Sequence, residues 1–106
     1  MEHDEGLQRA LTLLFDATPA GTMVILFGSR ARGQGRRDSD YDFLVIEPQV
    51  RDRFAEMVRL SEMLGSAMIP ADVVVLSRES YEQWRDEPNS LAGRAHREGR
   101  PYESAA

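Results

Sequence analysis

The sequence predicts an α/β (α+β) chain with a short mixed β-sheet of three to four strands flanked by helices. Three observations carry this. Short apolar, β-branched runs recur at "MVILF", "FLVI" and "DVVVL", as buried strands do. Segments with helical apolar spacing lie between and around them. The connection from Phe27 to Tyr41 is rich in glycine and arginine, which makes it a loop and predicts mixed strand directions.

The elements follow in order. Leu7, Ala10, Leu11, Leu14 and Phe15 keep the spacing of one helix face, so a first helix covers about Glu5–Ala17. "TPAG" (Thr18–Gly21) stops it. Thr22–Phe27 and Tyr41–Ile46 read as strands, the second ended by Pro48. Phe54, Met57, Val58, Leu60, Ser61 and Leu64 give an amphipathic helix from about Val50, ended by Gly65. After Pro70, Ala71–Leu76 is a third strand. Ser77 or Ser80 caps a helix through "YEQWRDE", broken by Pro88, and Asn89 or Ser90 caps a last short helix to Gly99. "RPYESAA" either adds an edge strand or frays.

The totals narrow the function. With 106 residues, one domain (1–106) is expected, able to bury roughly two-thirds of its unfolded surface. A net charge of −5 argues against a general nucleic-acid binder. The lack of cysteine excludes disulfides and thiolate metal sites, and fits a reducing cytoplasm. There is no apolar run long enough for a membrane span, and the N-terminus is acidic where a secretory signal would be basic.

The chemistry is concentrated in "GSRARGQGRRDSDYDF" (Gly28–Phe43). Asp40 and Asp42 lie two apart at the start of a strand, so alternation puts them on one face. Two adjacent carboxylates repel unless a cation or a proton intervenes, and hard oxygen ligands of this kind suit Mg²⁺. Gly28 lets the backbone turn sharply at a strand end. Free N–H groups there, with the Ser29 hydroxyl, form a small anion cradle. Arg30, Arg32, Arg36 and Arg37 make the dense basic cluster of an acidic chain, and arginine binds phosphate bidentately. Each feature has a plainer reading: solvated aspartates, an ordinary turn, a solvated loop. Asp72 opens the third strand, where it can join the pair or simply end a loop. Together they describe a site for a polyphosphate and a metal.

These residues resemble the nucleotidyltransferase superfamily that includes DNA polymerase beta. The signature is Gly-Ser, a spacer near ten residues, Asp-x-Asp, and a third acidic residue on a later strand. Here Gly28-Ser29, ten residues, Asp40-Tyr41-Asp42 and Asp72 fit it. "FGSRARG…SDYDFLV" looks most like the minimal nucleotidyltransferases, the MNT antitoxins paired with HEPN-domain toxins. The likeness runs over nearly the whole chain and departs at Arg100-Pro101, where the family's last strand is usually apolar. The resemblance implies a nucleotidyltransferase fold and two Mg²⁺ ions held by Asp40 and Asp42, with Asp72 sharing one ion and helping to deprotonate an acceptor hydroxyl. It implies that Gly28, Ser29, Arg30 and Arg32 hold the triphosphate. The implied reaction moves a nucleoside monophosphate, AMP from ATP being the first candidate, to a hydroxyl.

Transferases of this kind that modify antibiotics or extend nucleic acids usually carry a second domain for the acceptor, for which this length leaves no room. The acceptor is therefore expected on a partner protein, a HEPN-domain toxin, with no membrane or direct nucleic-acid partner; a homo-oligomer is compatible. The toxin's Arg…His-x-Tyr pattern is missing, since neither His3 nor His96 has a tyrosine two residues on. Two alternatives stand beside this one: an antitoxin that masks its toxin without turnover, and a small-molecule transferase acting on an aminoglycoside-like acceptor. Tyr81 and Trp84 share a helix face that either packs on the sheet or meets a partner. His96 is expected at the surface without a role.

Overall fold

In the computed structural model, which describes residues 4–28 and 40–104, the chain runs α1 (Glu5–Asp16), β1 (Met23–Phe27), β2 (Tyr41–Glu47), α2 (Arg53–Ser66), β3 (Ala71–Ser77), α3 (Arg78–Trp84), α4 (Leu91–Glu98) and β4 (Arg100–Glu103). The four strands form one sheet in the order β3-β2-β1-β4. β1 pairs antiparallel with β2 and with β4, while β2 and β3 are parallel. The mixed directions follow from the connections. The segment between β1 and β2 joins antiparallel neighbours, whereas α2 carries the chain back to start a parallel strand.

Alternation along the strands builds two cores. Val24, Leu26, Phe43, Val45, Val73 and Val75 face Leu7, Leu11, Leu14, Leu60 and Leu64 of α1 and α2. Ile25, Leu44 and Ile46 face Tyr81, Ala92 and Ala95 of α3 and α4. β2 is covered on both sides, which is why its sequence is an unbroken apolar run and not an alternating one. Phe43 is completely buried, and its ring stacks on Tyr41 at 5.6 Å between centroids.

The helix ends are set by caps. Asp4, Asp52, Ser77 and Ser90 each accept a backbone N–H of the first turn, satisfying a donor that has no partner within the helix. So α2 begins after Asp52, three residues later than Val50. Gly65 does not end it. The terminator is Met68, whose backbone is left-handed at φ 63°. Met68 N–H donates to the Gly65 carbonyl at 3.0 Å and Ile69 N–H to that of Leu64 at 2.9 Å, the bonding pattern of a Schellman stop. α3 ends at Trp84, short of Pro88. The last segment forms an edge strand, β4, despite Pro101. Pro101 pairs opposite Ile25 on the sheet's margin, where a missing N–H is tolerated.

Trp84 is half exposed while Tyr81 is buried, so packing on the sheet is correct for Tyr81 alone. His96 lies at the surface as expected, but it has a partner: its Nδ1 and the Tyr81 hydroxyl are 2.8 Å apart.

At the C-terminal end of β2, Glu47 is buried and its Oε2 has no hydrogen-bond partner. Burial pushes its carboxyl up to about 8, and a hydrogen bond to Glu56 adds to the shift. Arg59 grips Glu56 with two bonds of 2.8 and 2.7 Å and holds that carboxyl down to about 2. Between about pH 4.5 and about 8 the folded chain keeps a proton on Glu47 that the unfolded chain has lost. The stability due to this group therefore falls as pH rises through that window. Glu47→Gln should flatten this dependence, so that its advantage over wild type in urea unfolding is larger at pH 8 than at pH 5.

Candidate active site

β1 ends at Phe27, opposite Asp42 of β2. Asp42 is in turn in register with Asp72 of β3. Three strands thus bring the end of the glycine turn and two carboxylates to one end of the sheet. By alternation Asp42 lies on the face of Leu44 and Ile46, and Asp72 on that of Val74 and Leu76, the face covered farther along by α3 and α4.

Tyr41, between the two aspartates, points the other way. Its side chain is buried and its hydroxyl donates to Asp4 Oδ1 at 2.5 Å. Asp4 also caps α1, so the start of the Asp-x-Asp strand is tied to the start of the first helix.

Gly28 closes the site from β1. Its φ is +76°, a left-handed backbone that glycine adopts without a Cβ penalty. A Cβ there would lie 2.3 Å from Asp42 Oδ2 and 3.2 Å from its Cγ. The glycine is therefore required both by the turn and by the carboxylate beside it.

The electrostatics are those of crowded acids. Asp42 is half-buried, and its carboxyl is pushed above the ordinary range, first by burial, then by Asp72, then by Asp40. Asp40 and Asp72 are exposed. Asp40 lies just outside β2, so strand alternation strictly places only Asp42; Asp40 joins the group through its field on Asp42. Among the described residues, no three acidic or histidine side chains form a ready metal cage. A facing pair of carboxylates still fits Mg²⁺, which takes one or two such ligands and completes its shell with substrate phosphates and water.

Ser29, Arg30, Arg32, Arg36 and Arg37 lie outside the described residues. Two side chains that the sequence left without a role do reach this end of the sheet. A concavity of about 260 Å³ is lined by Phe27, Gly28, Arg94 and Glu98. No motif marks Arg94; only the packing of α4 against β1 places it there.

Comparison with known proteins bears on the family and the fold. Residues 10–97 match the family model described as a nucleotidyltransferase domain. No curated protein matches the chain significantly. Two solved structures are similar in fold. One is a toxin–antitoxin with AMP-PNP (TM-score 0.63, 24% identity, covering 92% of this chain and 73% of that one). The other is the toxin–antitoxin MntA–HpeT carrying two Asp-to-Glu substitutions (TM-score 0.61, 23% identity, covering 92% and 73%).

Two outcomes follow from the geometry. Gly28→Ala should lower stability by about 1 kcal/mol through its left-handed backbone and turn the Asp42 carboxylate aside, read by thermal unfolding and by a crystal structure of the variant. Asp42→Asn should raise the urea midpoint of the metal-free protein at pH 7. Because the folded carboxyl titrates above its unfolded value, wild type gains relative stability as pH falls, and the difference should shrink toward acid pH.

Proposed function

This chain belongs to the nucleotidyltransferase domain family, and on that premise we propose that it moves AMP from ATP to a hydroxyl of a partner protein, as the antitoxin of a HEPN/MNT toxin–antitoxin pair. The observation that carries the reading is the register that sets Asp42 beside Asp72 with Gly28 against the same carboxylate. The two toxin–antitoxin structures of similar fold, one with AMP-PNP, support the nucleotide and the class of partner.

In this reading Asp40, Asp42 and Asp72 hold divalent cations. Such ions, when bound, offset the negative charge of the triphosphate as it reacts. Gly28 and Ser29 hold the β- and γ-phosphates through backbone N–H groups and a hydroxyl, assisted by Arg30 and Arg32. Asp72 takes the proton of the attacking hydroxyl. The acceptor oxygen bonds to the α-phosphorus, the bond from that phosphorus to the α–β bridging oxygen breaks, and pyrophosphate leaves with the electron pair. The exposure of Asp72 suits a group that must meet an acceptor brought by another chain.

The test separates catalysis from masking of the toxin by binding alone. Asp72→Asn should retain ATP·Mg²⁺ binding and association with the toxin, because Asp40, Asp42 and the glycine turn remain. It should lower transfer from labelled ATP by about 10²-fold or more, the scale of a lost general base. In cells carrying the cognate toxin it should associate without neutralising. Full rescue by the variant would assign the antitoxin effect to masking.

A further inference from the structure

The C-terminal end of α4 is held close to β1. A Cβ on Gly99, directly after the helix, would lie 2.3 Å from Ile25 Cγ2 and 3.0 Å from the Leu26 carbonyl oxygen. A Cβ on Gly93 would lie 2.0 Å from the Glu87 carbonyl oxygen, so the start of the helix packs tightly on the segment before it. With Ala92 and Ala95 buried against the strands, small residues let the helix axis approach β1. The result is that Arg94 and Glu98, one turn apart, stand beside Phe27 and Gly28 at the acidic end of the sheet.

Arg94 is exposed, and among the described residues its guanidinium has no hydrogen-bond or ion-pair partner. An isolated surface arginine contributes little to folding. Its position is informative because the concavity it lines includes Gly28, where a Cβ would collide with the Asp42 carboxylate. An anion lying along this turn meets carboxylates on one side and a guanidinium fork on the other. Phosphate oxygens match that fork in bidentate fashion.

Resting on the nucleotide reading above, we infer that Arg94 binds the triphosphate, forming the wall of the phosphate site opposite the Gly28 turn. Its contribution comes from the last helix and is independent of the arginines between Gly28 and Asp40. Glu98 lines the same concavity.

The experiment is calorimetric titration of the full chain with two probes in the presence of Mg²⁺, AMP-PNP and inorganic tripolyphosphate. Arg94→Ala should weaken both by about tenfold or more, the scale of a lost charge-assisted hydrogen bond. Arg94→Lys should fall between that variant and wild type. The thermal midpoint of Arg94→Ala should be unchanged, since the side chain is exposed. Equal affinities for wild type and Arg94→Ala would overturn the inference while leaving the nucleotide reading intact. Loss of AMP-PNP with tripolyphosphate unaffected would also overturn it, by placing Arg94 on the nucleoside. A wild-type chain that binds neither probe would overturn the nucleotide reading itself, and this inference with it.

Discussion

The register of β2 is the constraint on which the rest depends. This strand is antiparallel to β1 and parallel to β3, and a single alignment satisfies both neighbours: Phe27 opposite Asp42, and Asp42 beside Asp72. A slip of one residue would turn Phe43 and Val45 from the α1–α2 core to the other face and send Asp42 into the hydrocarbon they vacate. The burial of Tyr41, Phe43 and Val45 on one side and of Leu44 and Ile46 on the other therefore positions the carboxylates as firmly as any contact they make themselves. The bond from Tyr41 to Asp4 adds a polar pin at the end of the strand where the acids lie.

The two ends of β2 handle negative charge differently. At the candidate site, Asp42 is crowded by Asp40 and Asp72, and no arginine among the described residues is bonded to it. At the far end, Glu56 is neutralised by Arg59, and the buried Glu47 is held in its protonated form into the neutral range. Among the described residues, the first arrangement leaves like charges facing one another, which disfavours the ionised form of Asp42. The second resolves a similar conflict internally, with an ion pair and a proton. Repulsion left unresolved among the described residues is what a ligand-binding site often shows.

Close approach completes the site. Gly28 and Gly99 each occupy a place where a Cβ would collide, one with the Asp42 carboxylate, the other with β1. The first allows the strand end to turn against the acids. The second seats α4 so that Arg94 reaches the same end of the sheet. Neither glycine acts chemically; each removes volume where a reactive or charged group from elsewhere must fit.

Much of this was legible in the residue order. The three apolar strands, the helices between them, and the grouping of Gly28 with Asp40 and Asp42 rest on local signals: periodicity, turn residues and spacing along the chain. Where the local signal misled, another part of the fold decided. Gly65 looked like a stop, but the helix runs on to a left-handed Met68 because the backbone bonds to Leu64 and Gly65 close there. Tyr81 and Trp84 share a helix face by spacing, but Tyr81 is buried against the sheet while Trp84 stands half exposed. The sequence by itself determined which residues are acidic, apolar or flexible and at what spacing, because those are properties of neighbours in the chain. The tertiary structure alone decided that Asp72 stands beside Asp42, that β4 forms opposite Ile25, and that Arg94 shares a concavity with Gly28. Those contacts join residues far apart in sequence, and strand register and helix packing set them, neither of which a local pattern encodes.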